Sequence, residues 1–175
     1  MTDKKMRECI AKALEEAAKG QTTDCGDTAL KAMIECAAKL KLPLRFKIWD
    51  SKDKKWTYKS YKDFSSLDAF IKWVLENMGS INILDNTKKK PIKDLQPGDM
   101  VIYDLRSHGS STYSGHVRIV IRVNEDGTVT VVEGHTGNAA VEQNTCTTEK
   151  LEGDWDGPYE GGGREWDWKK LIVNE

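Results

Sequence analysis

The chain has 175 residues, of which 27 are basic and 28 acidic, for a net charge of -1, and its apolar share is 38%. This length suffices for one domain with its own core, the charge balance argues against a nucleic-acid binder held mainly by phosphate contacts, and no run approaches the roughly 18 apolar residues of a membrane span. Six Trp are available to fill a core, so the chain reads as ordered despite a charged share of 31%.

Residues 3–19 form an amphipathic helix, with Met6, Ile10, Leu14 and Ala17–Ala18 on one side and Gly20 as its stop. Met1–Arg7 is charged and no apolar run follows it, so no secretory signal is expected. The protein is then cytoplasmic in its producer, or exported by a signal-independent route, or the chain is an excised domain. A second helix opens at Cys25 and runs to about Lys41, with Ala29, Leu30, Met33, Ile34, Ala37 and Ala38 as its apolar face and Pro43 beyond its end. Leu44–Trp49 alternates like a strand, Asp50–Lys55 is a charged turn, and Trp56–Tyr58 is a short return strand. Ser65 or Ser66 caps a third helix carrying Leu67, Phe70, Ile71, Val74 and Leu75, and Gly79 stops it. Residues 80–95 read as irregular, with Lys88–Lys90 a solvated run.

The pattern then changes to a period of two. Pro97-Gly98-Asp99 makes a turn into a strand at Met100–Tyr103, and Arg106–Gly115 is a Ser- and Gly-rich loop. His116–Val123 and Thr128–Gly134 form a hairpin closed by Asn124–Gly127. Residues 136–168 read as irregular, and Leu171–Val173 as a last strand. There are no repeats and no linker, so residues 1–175 are expected to form a single α+β domain, helices first and sheet second.

Chemistry concentrates at Cys25. Asp24 or Thr23 is a good N-cap, which places the thiol at a helix N-terminus, where free N–H groups and the dipole lower a thiol pKa. Asp24 and Asp27 oppose that effect, so a base must come from elsewhere. Cys9, Cys25, Cys36 and Cys146 show no CxxC spacing and no clustering with histidine, which argues against zinc; Cys9 and Cys36 read as core, and nothing calls for a disulfide. No metal or cofactor is expected.

If Val123 faces Thr128 across the turn, His116 lies opposite His135 and Arg118 opposite Glu133, so His116, Glu133 and His135 crowd one end of one sheet face. A thiol nucleophile needs a histidine to take its proton, and that histidine needs an orienting partner, which either Glu133 or His135 can supply. The Cys25 N–H and Gln21 are candidate oxyanion donors. Asp24, Trp155, Trp166 and Trp168 are candidate substrate contacts, although Trp of this kind are more often core.

Asp24-Cys25 opening a helix, Leu95-Gln96-Pro97-Gly98-Asp99-Met100-Val101 leading into a strand, and Gly115-His116-Val117 leading into a hairpin together resemble the papain-like NlpC-type and CHAP amidase/endopeptidase families. The resemblance implies a papain-like fold, N-terminal helices packed on a C-terminal antiparallel sheet. It also implies hydrolysis of a peptide or amide bond, in peptidoglycan, through a Cys25 thioester with His116 as base. Glu133 and His135 stand where CHAP domains carry a Glu and then an Asn. The expected setting is an antibacterial toxin or effector domain, monomeric, with a cognate inhibitor or immunity protein as a possible partner. The alternatives are a cysteine protease, deamidase or acyltransferase acting on proteins, and a non-catalytic binding module on the same scaffold.

Overall fold

Two helices come first in the computed structural model, which describes residues 2–22, 24–104, 115–134, 140–153 and 161–173. Helix α1 (Thr2–Ala17) turns Met6, Ile10 and Leu14 inward, and α2 (Cys25–Lys39) turns Leu30, Met33, Ile34 and Ala37. An antiparallel hairpin follows, β1 (Arg45–Asp50) and β2 (Lys55–Ser60). Then come α3 (Leu67–Asn77), α4 (Ser80–Asp85), β3 (Thr87–Lys89), β4 (Met100–Asp104), β5 (Gly115–Val123), β6 (Val129–Glu133), β7 (Glu142–Cys146), α5 (Thr148–Glu152), β8 (Gly161–Trp166) and α6 (Trp168–Leu171). The larger sheet is antiparallel throughout, in the order β3-β8-β4-β5-β6-β7.

Strand alternation splits the core in two. Met100, Ile102, Val117, Ile119 and Val132 point to the helices, where Phe46, Phe70 and Trp166 complete the larger cluster. Val101, Tyr103, Val120 and Val131 point to the other face, under Leu95 and Leu151. This is the α+β, papain-like arrangement expected. Among the described residues no helix is long and apolar enough to cross a membrane.

Several local expectations are corrected. Residues 80–95 hold α4 and β3, and two strands, β7 and β8, lie in the stretch read as irregular. Their polar and Gly-rich sequences, Glu142–Cys146 and Gly161–Trp166, lack apolar alternation because partner strands supply the pairing. Leu171 closes α6, and only Ile172 bridges, to Leu44. Cys9 and Cys36 form a disulfide joining α1 to α2. Their separation of 27 residues gives no hint of this; it is the packing of the two helices that brings the Cα atoms to 5.8 Å. Nor is Lys90 solvated, because its ammonium sits 2.6 Å from buried Asp99.

Asp99 anchors the sheet to α1. Gly98, at φ +91°, makes the turn, and a Cβ there would lie 3.1 Å from the Arg7 Cα. That close approach lets the Arg7 guanidinium donate to Asp99 Oδ1, while Lys90 Nζ and the Gln96 N–H, at 2.8 Å, take Oδ2. Glu165 accepts from Arg7 at 3.1 Å and pairs with Lys90 at 3.3 Å, and the guanidinium lies over the Trp168 ring.

Candidate active site

Cys25 is the first residue of α2, and Asp24 caps it, accepting the Asp27 N–H at 2.7 Å. The cap fixes where the helix starts and so holds the sulfur at its mouth. The side chain is half-buried, and the backbone N–H groups of Val117, Gly26 and Cys25 itself donate toward the sulfur. Burial outweighs them: it pushes the thiol up to about 11, with the Asp24 charge adding to the rise. The lowering that the helix terminus favours is outweighed, because lost hydration of the anion exceeds what the dipole and three N–H groups return. The thiol rests protonated and needs a base. Replacing Asp24 with Asn keeps an equally good cap and removes the charge. Asp24→Asn is therefore expected to speed iodoacetamide capture of Cys25 at pH 8 severalfold with little change in melting temperature; a slower reaction would refute the assigned effect of the charge.

Ser80, buried at the start of α4, is the point where α2 and β5 meet. A Cβ on Gly26 would lie 3.2 Å from Ser80 N, and one on Gly115 would lie 2.8 Å from both Ser80 Oγ and the Tyr103 carbonyl. Glycine at both positions lets α2, α4 and β5 close on one place. Because β6 ends at Glu133, the Val117 N–H lies beyond the β5–β6 ladder and turns to the sulfur.

His116, next to Val117, shares a face with Arg118 and Glu133. Its Nε2 lies 2.5 Å from Glu133 Oε2, which also accepts from Arg118 Nε at 2.9 Å. Asn144 Nδ2 donates to the other carboxylate oxygen at 3.2 Å. Burial alone would raise the Glu133 pKa; the hydrogen bonds from His116 and Arg118 and the Arg118 charge reverse that, to about 2. Glu133 is thus a buried anion against an imidazole. Tyr103 closes the face, its ring 6.2 Å from His116 and its hydroxyl donating to the Leu151 carbonyl at 2.7 Å.

The turn register expected from the sequence is corrected. Val123 faces Val129 rather than Thr128, and a bulge between Val120 and Arg122 absorbs the one-residue difference. Beyond the bulge Val120 faces Val131 and Ile119 faces Val132, which puts Arg118 beside Glu133.

Gln21 is exposed, its N–H donating to the Ala17 carbonyl at 3.1 Å and its own carbonyl accepting from Val141 at 2.8 Å. Trp166 is 1% exposed and packs against Phe46, so it cannot line a groove. Trp168 lies beside Arg7, at the Asp99 end of the sheet, while His116 pairs with Tyr103 at the far end of β4. Both Trp are thereby removed from the substrate contacts. His135 and Trp155 fall outside the described residues.

A family model, the CHAP domain, matches residues 17–135, more than half the chain and a span that includes Cys25, His116 and Glu133. The chain belongs to the CHAP family. No curated protein and no solved structure matches it. CHAP membership points to hydrolysis of the amidase or peptidase type, with peptidoglycan as the substrate. In this CHAP domain sequence reasoning missed Asn144, Ser80 and the role of Arg118. Asn144 has no signal, since its strand shows no apolar alternation; the sequence places Arg118 opposite Glu133 but gives it no role as a donor to the carboxylate.

Proposed function

We propose that this CHAP domain is a cysteine amidase or endopeptidase that cleaves a peptide or amide bond of peptidoglycan through a thioester on Cys25. The observation that carries this reading is the His116–Glu133 pair at 2.5 Å, on the strand whose next N–H donates toward the Cys25 sulfur. With Nε2 engaged by Glu133, His116 exchanges protons with the thiol through Nδ1. The proton passes from sulfur to imidazole, and the ionised Glu133 stabilises the imidazolium that forms. The thiolate adds to the carbonyl carbon; the Cys25 N–H and the Gln21 side chain hold the oxyanion. The imidazolium returns its proton to the leaving amine as the C–N bond breaks, leaving a thioester. Water, deprotonated by His116, then releases the acid and restores the thiol. Asp24, exposed beside the sulfur, is the carboxylate that would meet an amino group of the substrate.

The Cys9–Cys36 disulfide supports action in an oxidising compartment, since such bridges persist outside reducing cytosols. Peptidoglycan lies in such a compartment, which suits the toxin or effector setting with its cognate inhibitor. Purified sacculi incubated with the protein should release new stem peptides or free amines, read by mass spectrometry of the muropeptides. Cys25→Ala and His116→Ala should each lower that release at least about 10³-fold. An unchanged muropeptide profile, with Cys25 still alkylated in a His116-dependent way, would move the reading to a protein substrate.

A further inference from the structure

The β1–β2 hairpin presents a face that the catalytic reading does not use. Register puts Arg45 opposite Ser60, Lys47 opposite Tyr58 and Trp49 opposite Trp56, so these residues share one side. On the other side Phe46 is fully buried in the core, which turns the Trp face outward. Trp49 and Trp56 are 48% and 46% exposed, two of the three large apolar side chains left in solvent among the described residues. Their rings meet edge to face, with centroids 5.4 Å apart and planes at 73°. Two cations continue the stripe: Lys47 Nζ lies 4.5 Å over the Trp56 ring and the Arg45 guanidinium 3.9 Å over Tyr58. Among the described residues neither cation is ion-paired with a carboxylate.

The hairpin is also tied to the body of the fold and strongly basic. Buried Asn86 grips the β1 backbone, accepting the Lys47 N–H at 2.6 Å and donating to its carbonyl at 2.9 Å. Between Arg45 and Ser60 stand six basic residues (Arg45, Lys47, Lys52, Lys54, Lys55, Lys59) and two acidic ones (Asp50, Asp53), a net of +4 in a chain of net -1. A cavity of about 140 Å³, lined by Pro43, Arg45, Tyr58, Tyr61, Lys62 and Asp63, extends the stripe at the Arg45 end.

We propose that this face binds an anionic glycan strand, a sugar polymer carrying free carboxylates on its peptide-free units, and holds it while the Cys25 site works on peptide attached farther along the strand. The choice of a wall glycan rests on the catalytic reading above. Aromatic rings bind the C–H faces of sugars, and Arg45 and Lys47 are spaced along the same stripe to meet carboxylates. Two indoles at 73° make a corner that suits a puckered sugar ring, whereas a planar base stacks on a parallel slot.

The test uses peptide-free glycan strands of alternating N-acetylglucosamine and N-acetylmuramic acid, whose lactyl carboxylates are free. Binding to the intact protein should weaken with salt, and a neutral chitin oligosaccharide should bind at least tenfold less tightly. Trp49→Ala with Trp56→Ala, and separately Arg45→Gln with Lys47→Gln, should each weaken binding at least tenfold. Both pairs should still hydrolyse a short soluble stem peptide at the wild-type rate. Trp49→Tyr with Trp56→Tyr preserves the cross-strand pair and should keep most of the binding. Absence of binding by the wild type, full binding by the Ala pair, or tighter binding of phosphatidylglycerol vesicles or single-stranded oligonucleotide would overturn the proposal. Glycan binding that follows these variants in a protein that cleaves no peptide would fell the catalytic reading and leave this one standing.

Discussion

Glu133→Gln is expected to lower kcat on a stem-peptide substrate by about 10²–10⁴-fold while leaving KM within a fewfold of wild type. The glutamine amide fills the same volume but carries no charge. In the proposed reaction it cannot stabilise the imidazolium formed as His116 takes the Cys25 proton, and it offers one acceptor oxygen where the carboxylate serves His116, Arg118 and Asn144 with two. Arg118 would be left half-buried without its anion, so a loss of about 3–5 kcal/mol in stability is expected as well. Activity must therefore be measured per folded molecule. Asn144→Ala tests the same carboxylate more gently: it removes a neutral donor, should cost about 1 kcal/mol, and should lower kcat several-fold without moving the pH profile. Wild-type kcat in Glu133→Gln would show that His116 needs no anionic orienter.

The same carboxylate sets an acid limit. Its folded pKa, about 2, lies below the unfolded value of 4.5, so its stabilisation is fully present above pH 4.5 and is lost as pH falls from there toward 2. Melting temperature against pH should show that decline in wild type and a flatter curve in Glu133→Gln. An equally steep decline in both would assign the acid sensitivity elsewhere.

Asp99→Asn is expected to destabilise the fold by about 3–5 kcal/mol, roughly 10 °C in melting temperature for a chain this long. Asp99 is wholly buried, and its side chain sits between Arg7, 10% exposed, and Lys90, 14% exposed. Removing the charge leaves two cations facing each other with, among the carboxylates of the described residues, only Glu165, 19% exposed, to answer them. The link between α1 and the β4 turn would loosen with them. Glu165→Gln should cost less, because water already reaches that carboxylate. Since this cluster sits at the opposite end of β4 from Tyr103 and His116, the activity of folded Asp99→Asn should be close to wild type. A melting temperature within 2 °C of wild type would show that the buried cluster contributes little.

Much of this was legible in one dimension. The Cys25 helix carries its own cap and apolar stripe, and both are local properties of consecutive residues. His116, Arg118 and Glu133 align because strand alternation projects residues two apart to one side, and the bulge offsets the one-residue difference at the turn. What escaped has a common cause. Asn144 sits on a strand with no apolar alternation, held by its partner β6; Cys9 and Cys36 meet only after two helices pack; and Trp166 and Trp168 differ from Trp49 and Trp56 only in what covers them.

The sequence by itself determined helices α1 to α3, the β1–β2 and β5–β6 hairpins, the order in which Cys25, His116 and Glu133 follow one another, and the membership those motifs imply, because caps, periodicity and turn chemistry act over a few residues. Only the tertiary structure decided the state of the Cys25 thiol, the disulfide, the second oxygen of Glu133 and which tryptophans face water. Each of those depends on how much solvent distant segments exclude, and burial is a property of the packed whole that no single stretch encodes.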